Sequence, residues 1–95
     1  MAAYLIMYDI NQEGAGYAAA NKALSERIKE LFGTYWHHLD STWLVVTDMT
    51  VTEIRDDLEK KLDANDELLV VKSSGVGAWN LGFNEKARAW LKKHL

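Results

Sequence analysis

The sequence predicts an α+β fold: a four-stranded antiparallel sheet with two helices on one face and a further helix at the C-terminus. Two observations predict this class. Short runs of apolar, β-branched and aromatic residues alternate with longer stretches whose apolar residues recur at helical spacing. The 95 residues suit a single domain, residues 1-95, within which 84-95 forms a helical extension.

The first part of the pattern is a strand followed by a helix. Tyr4 to Ile10 is almost continuously apolar and is interrupted by a carboxylate, Asp9, which predicts a central strand with Asp9 at its C-terminal end. Asn11 to Gly16 is rich in polar residues and glycine and predicts a loop. Tyr17 to Phe32 has helical spacing, and Gly33 directly after it is a natural C-terminal cap.

The run from Thr34 to Asp48 holds the next two strands, because it is dense in aromatic and β-branched residues. Tyr35 to Leu39 mixes polar and apolar side chains, which predicts an edge strand. A polar break at Asp40-Ser41-Thr42 divides the run and predicts a hairpin turn. Trp43 to Val46 is apolar throughout, which predicts a central strand buried on both faces.

The clearest boundary signal is Thr50-Val51-Thr52-Glu53, which has the form of a capping box at the start of a helix. Met49 and Ile54 are spaced for the accompanying hydrophobic staple. The apolar positions predict that this helix buries Val51 with Ile54 and that it ends near Asn65.

A fourth strand and a last helix complete the chain. Glu67 to Ser73 is centred on Leu-Leu-Val-Val, whereas Ser74 to Gly82 contains three glycines and predicts an irregular connection. Asn84 is placed to cap a final helix, Asn84 to Leu95. The order strand, helix, strand, strand, helix, strand is that of the ferredoxin-like fold, which places the first and third strands in the centre of the sheet.

In this fold both helices of the repeat cover one face of the sheet, so the other face needs a partner. Alternate residues of the two central strands make that face too apolar to leave in water. Either the C-terminal helix or a second subunit covers it. Since a chain this short buries little surface alone, we expect a homodimer.

Composition limits the function classes. Hydrophobic residues at 48% and charged residues at 26% are typical of a soluble globular protein, and the lack of cysteine excludes disulfides and thiolate metal sites. The N-terminus lacks the basic leader of a signal peptide and no apolar run could span a bilayer, so we expect no membrane association and a cytoplasmic location. A net charge of -3, with basic residues scattered except in the last helix, argues against an obligate, strong DNA binder.

Asp9 is the first candidate for chemistry, since a carboxylate at the end of a central strand is well placed to meet a ligand or a metal. The alternative is that it accepts hydrogen bonds from the following loop. His37 and His38 point to opposite faces of a strand and cannot hold one ion together. His38 and Asp40 share a face and could act as ligand and orienting carboxylate, but a histidine bonded to a neighbour is the alternative.

Two further side chains are candidates for binding. Trp79, in the glycine-rich connection, is the tryptophan best placed to stack on a ligand, whereas Trp43 and Trp90 lie in periodic apolar stretches typical of a core. Ser41 lies in the hairpin but has no recognisable base partner, so a nucleophilic hydrolase is unsupported. No dinucleotide or Walker motif is present.

Several stretches together suggest a family. Tyr-Leu-Ile-Met-Tyr-Asp in the first strand and Ser41-Thr42-Trp43, where the family has Ser-Val-Phe, resemble the CRISPR-associated Cas-two proteins. Trp36 to Val45 and Asp63 to Val71 carry phrases found in a set of small relatives labelled SinR-family, and this resemblance covers most of the chain. The Cas-two resemblance implies a homodimer joined across its sheets, in which the two Asp9 carboxylates meet and hold a divalent ion for phosphodiester cleavage.

Two main functions follow. One is a dimeric module that binds a protein or nucleic-acid partner without catalysis. The other is an endonuclease dependent on Mg²⁺ or Mn²⁺ that uses Asp9 of both subunits. The first is favoured, because a single transferable acid without a base or a basic groove is thin support for phosphoryl chemistry. Small-ligand sensing around Trp79 and His38 is a third hypothesis, with no motif behind it.

Overall fold

A computed structural model describes all residues from Met1 to Leu95. Its elements follow the expected order: β1 (Ala2–Asp9), α1 (Gly14–Leu31), β2 (Tyr35–Leu39), β3 (Thr42–Thr47), α2 (Val51–Leu58), β4 (Glu67–Lys72) and α3 (Glu85–His94). The strands form one sheet in the order β2-β3-β1-β4, and every neighbouring pair is antiparallel. The ferredoxin-like fold with an added C-terminal helix is therefore confirmed, with β1 and β3 in the centre.

The main core lies between α1, α2 and one face of the sheet, called here the helix face. Antiparallel pairing sets Ile6 of β1 beside Trp43 of β3, and both side chains are fully buried. The indole nitrogen of Trp43 donates to the Tyr8 hydroxyl at 3.0 Å, so this buried polar group is satisfied. Burial raises the pKa of the Tyr8 phenol above its ordinary value. The helices contribute Leu24, Ile28, Ile54 and Leu58.

The end of α1 differs from the glycine cap expected from the sequence. Phe32, not Gly33, is the capping residue, and it has an extended backbone with φ of -120°. Gly33 does not adopt the left-handed conformation that favours glycine, which occurs only at Gly14 and Gly75. The extended backbone at Phe32 lets its ring enter the main core, where it is almost fully buried. The expected cap at Gly33 is therefore wrong, because packing of the preceding side chain decides how the helix ends.

The start of α2 is as expected and its end is not. The Thr50 N–H donates to Glu53 Oε1 at 2.9 Å and the Glu53 N–H donates to Thr50 Oγ1 at 3.1 Å, which completes the capping box. The α-helix ends at Leu58 and a 3₁₀ turn follows, so the expected end near Asn65 is wrong. Val51 was expected to be buried but is 38% exposed, since it occupies the first helical position at the margin of the core.

The second face of the sheet is shared between α3 and solvent. Ala87 and Leu91 of α3 pack on Trp36 of β2 and Leu44 of β3. The Trp36 indole nitrogen donates to the Ala87 carbonyl at 3.2 Å and fixes the helix to the edge strand. As expected, Asn84 caps α3 by accepting the Ala87 N–H at 2.8 Å. The C-terminal helix therefore covers the β2–β3 half of this face, and its cluster also packs against Leu5 of β1. The rest of the β1–β4 half is left uncovered.

The uncovered half presents an apolar surface formed by Met7, Leu69 and Val71, called here the open strip. Leu69 is 57% exposed and Val71 is 41% exposed, whereas Met7 is partly buried. Met7 pairs with Leu69 and the adjacent Leu5 pairs with Val71 across the β1–β4 ladder, so the strip is continuous. No helix has the length and apolarity needed to cross a bilayer.

Candidate functional site

Asp9 lies at the end of β1, on the same face as the open strip. It is exposed and faces Glu67 of β4 in the register, directly beyond the Met7–Leu69 pair. Side chains directly opposite each other on neighbouring strands lie about 5 Å apart, and like charges there repel. Neither carboxylate takes part in any of the three ion pairs of the chain. The strip therefore ends in two adjacent acids without a cationic partner.

Ser41 is the one other candidate that the fold brings to Asp9. The Tyr8 N–H donates to the Ser41 carbonyl at 3.2 Å, which joins the end of β1 to the hairpin turn. Ser41 and Asp9 line a shallow depression of about 460 Å³ together with Glu67 and Leu69. None of its lining residues is Lys, Arg or His.

The loop after β1 is organised by a different carboxylate from the one considered in the sequence. Asp66 Oδ1 accepts the Asn11 N–H at 2.9 Å, and Asp66 Oδ2 accepts from Gln12 Nε2 at 3.0 Å and from the Asp63 N–H at 2.8 Å. These bonds, first that from the Asp63 N–H, lower the pKa of Asp66 below its ordinary value. The bonds donated by Asn11 and Gln12 go to Asp66 and its two neighbours and none goes to Asp9, so the hypothesis that Asp9 accepts hydrogen bonds from the loop is wrong.

His37 and His38 lie on opposite faces of β2, as expected. The His37 ring stacks on Trp43 with centroids 3.8 Å apart, and its Nε2 lies 3.0 Å from the Asp40 carbonyl oxygen. His38 lies against Trp36 with centroids 5.1 Å apart. The backbone contact to Asp40 thus belongs to His37, not to His38. No three His, Asp or Glu side chains of one chain converge in a geometry for a metal ion.

Trp79 lies away from these residues, at a cavity of about 410 Å³ between the second sheet face, α3 and the connection that precedes α3. Its side chain is 37% exposed. Ten of the fifteen lining residues are hydrophobic. The floor is formed by the sheet residues Leu5 and Leu44, and the sides by Trp36, Phe83 and Leu95, among others.

The glycines of the connection let it pack closely on the end of α3. A Cβ atom at Gly77 would lie 2.6 Å from Leu95 Cδ2, so the end of that leucine side chain would have to move, and Gly75 has φ of +87°, which favours glycine. Ser73 Oγ accepts the Gly75 N–H at 3.0 Å and holds the start of the connection. The start of this wall of the cavity therefore depends on glycine at position 75, where the backbone conformation favours glycine.

The last helix also carries an uneven share of the charge. Residues 84–95 contain four of the eleven Lys and Arg residues of the chain but only one of its fourteen acids. Arg88 makes no ion pair, and its Nε is the one buried side-chain nitrogen or oxygen in the chain without a hydrogen-bond partner. The basic surface of α3 and the acidic pair Asp9–Glu67 lie over opposite halves of the same sheet face.

The five candidate residues therefore do not form one site. Asp9 and Ser41 share the depression at the end of the open strip, His38 and Asp40 belong to the hairpin, and Trp79 borders the cavity. Sequence reasoning did not identify the cavity. Two features of the sequence relate to the cavity: the alternating apolar residues of the central strands and the glycines before α3. Neither of them predicts where α3 packs on the sheet.

Comparisons of the chain with protein-family models, with curated proteins and with solved structures find no match.

Proposed function

We propose that the chain is a homodimeric binding module without catalytic activity, similar in fold to the Cas-two proteins and the SinR-family relatives that its sequence resembles. The observation that carries this proposal is the open strip, an apolar surface on the uncovered half of the second sheet face. Exposed contiguous apolar surface on a small protein marks an interaction site. A second copy supplies a surface of the same shape and chemistry, as an isologous interface requires.

The position of α3 restricts how two copies can meet. The helix stands on the same face as the strip, so two sheets cannot stack squarely. If the contact is displaced towards β4, the two strips face each other and each α3 lies beside the edge of the partner's sheet. Direct sheet packing at about 10 Å is then possible. The basic outer surface of α3 stays accessible in this arrangement and is available to a protein or nucleic-acid partner.

The surroundings of Asp9 favour binding over phosphoryl transfer. A phosphodiester is an anion, and the depression at Asp9 presents two carboxylates and no basic side chain. Electrostatic repulsion would keep such a substrate away unless a cation neutralised the acids.

Light scattering of two matched valine variants tests the dimer. Val71 in the open strip is 41% exposed and Val51 on α2 is 38% exposed, so Val71→Asp and Val51→Asp place the same charge on equally accessible positions. We expect wild type and Val51→Asp to be dimers at micromolar concentration and Val71→Asp to be a monomer. A monomeric wild type, or a dimer that survives Val71→Asp, would refute the proposal.

A second measurement addresses the partner. If nucleic acid binds α3, Lys93→Glu should weaken binding of a labelled oligonucleotide and the affinity should fall as salt is raised. Lys29→Glu, on α1, is the control, since both lysines are exposed. Absence of salt-dependent binding in wild type would leave a protein as the partner.

The endonuclease remains the second candidate because Asp9 is paired with Glu67 at the end of the proposed interface. In a dimer whose two-fold axis runs parallel to the strands, both pairs lie at the same end. The mutual repulsion of these carboxylates would destabilise the dimer unless a divalent ion lies between them. These carboxylates would then hold Mg²⁺ or Mn²⁺, which would polarise a phosphodiester.

Thermal melts separate the two candidates. For the non-catalytic module we expect the same melting temperature with a chelator and with Mg²⁺ or Mn²⁺. For the nuclease, the metal should stabilise the dimer, whereas Asp9→Asn should stabilise the metal-free dimer and remove the metal effect. A nuclease assay of wild type and Asp9→Ala with each ion completes the test.

A further inference from the structure

We propose that the cavity between the second sheet face, α3 and residues 73–83 is a binding site for a small, uncharged aromatic molecule. The inference does not depend on the dimer, since the cavity is formed within one chain. The size of the cavity, the chemistry of its lining and the glycine-containing wall all suit such a ligand.

The size of the cavity matches a small ligand. A volume of about 410 Å³ lies within the range of about 300–1,000 Å³ that is usual for small-molecule sites. The cavity opens to solvent, so its apolar lining atoms face water, and a ligand that covers them removes apolar surface from water. A fused bicyclic ring with one substituent fits this volume and would cover that surface.

The lining favours an aromatic ligand. Trp36, Trp79 and Phe83 contribute three aromatic side chains, and Trp36 and Phe83 meet edge-on with centroids 5.3 Å apart. Aromatic rings prefer offset or edge-to-face contact with other rings, beyond the gain from burial. A flat ring that enters between the sheet floor and Trp79 makes such contacts on more than one side.

The same lining disfavours a charged ligand. No Asp, Glu, Arg or His lines the cavity, and its one charged residue is Lys72 at the end of β4. Lys72 pairs with Tyr4, whose side chain is on the helix face, so the alternation of the strand directs the lysine side chain away from the cavity. The remaining polar groups are the hydroxyls of Thr42, Ser73 and Ser74, which suit a single neutral polar substituent.

Titration with N-phenyl-1-naphthylamine, an uncharged aromatic dye whose emission rises in apolar surroundings, tests the site. We expect saturable binding of one dye per chain. Thr42→Trp places a ring inside the cavity from a half-buried strand position and should weaken binding by about tenfold or more through steric exclusion. Thr52→Trp, at an exposed position on α2, should leave binding unchanged.

A second cavity variant and two competing ligands test the position and the charge preference of the site. Trp79→Ala should also weaken binding of the dye. This variant serves as the test if circular dichroism shows that Thr42→Trp does not fold. Naphthalene should displace the dye and 1-naphthoate should not. Absence of saturable binding would overturn the proposal, as would stronger displacement by 1-naphthoate. Loss of binding in Val71→Asp with full binding in Thr42→Trp would also overturn it, because the dye would then occupy the open strip.

Discussion

Truncation of Leu91 to alanine tests how firmly α3 belongs to the fold. Leu91 is 5% exposed and packs with Trp36, Leu44 and Ala87 in a cluster separate from the main core. Removing a buried leucine side chain costs about 2–5 kcal/mol, depending on how completely it was packed. Leu91 also borders the cavity, so part of its surface has no packing partner. We therefore expect a loss of about 2–3 kcal/mol in the free energy of unfolding.

Leu58→Ala is the matched control. Leu58 is fully buried in the main core, where neighbours surround it on every side. Its truncation should lie at the upper end of the range, about 3–5 kcal/mol. Urea denaturation followed by circular dichroism measures both losses, and equal slopes of the free energy against urea would show that the variants unfold the same surface.

Amide hydrogen exchange shows where each variant acts. Because α3 is joined to the sheet mainly through its small cluster, Leu91→Ala should increase amide exchange in α3. The amides of β1 should still exchange only through global unfolding of the variant. Leu58→Ala should increase exchange throughout the sheet. Equal losses of stability together with uniform changes in exchange would refute the view that α3 is a separately docked element.

Three further predictions concern local interactions. Thr50→Ala should lower the free energy of unfolding in denaturant melts by about 0.5–2 kcal/mol and leave the oligomeric state unchanged. An unchanged melt would place the start of the helix elsewhere, at Thr52. Folding lowers the pKa of Asp66, so its contribution to the free energy of unfolding is fully present above the unfolded-state pKa and is lost as the pH falls through the folded-state pKa. The difference in stability between wild type and Asp66→Asn should therefore narrow in acid. A difference independent of pH would contradict this. The Arg27 guanidinium, bonded to both Asp57 oxygens at 2.7 Å, lowers the pKa of that carboxyl, so Arg27→Met should raise the midpoint of an NMR titration of Asp57.

Short-range patterns in the sequence were reliable guides to the elements. β2 runs from Tyr35 to Leu39 as expected, and the capping box at Thr50 and Glu53 forms with both of its hydrogen bonds. The central position of β1 and β3 followed from their uninterrupted apolar composition. Each of these features depends on residues within a few positions of one another, and so a local pattern contains the information needed.

The candidate site was less accessible from the sequence. Asp9 was correctly placed at the end of a central strand, but its neighbour Glu67 is 58 residues away and was not identified. The role of loop acceptor was considered for Asp9 and belongs to Asp66, which bonds to Asn11 across 55 positions. Several carboxylates near a loop satisfy the same local pattern, and only the pairing of β1 with β4 selects one of them.

By itself the sequence determined that two helices cover one face of a four-stranded sheet and that the other face is too apolar to remain fully in water. Tertiary structure alone decided how that second face is divided. The hydrogen bond from Trp36 to Ala87 and the packing of Leu91 hold α3 over β2 and β3, which leaves Leu69 and Val71 exposed and a cavity beneath Trp79. The pattern of an amphipathic helix of ten residues shows that one face must be buried, but it does not specify which part of a larger apolar surface that face will cover. That choice depends on the shapes of side chains brought together from about 50 positions apart, which no local periodicity contains.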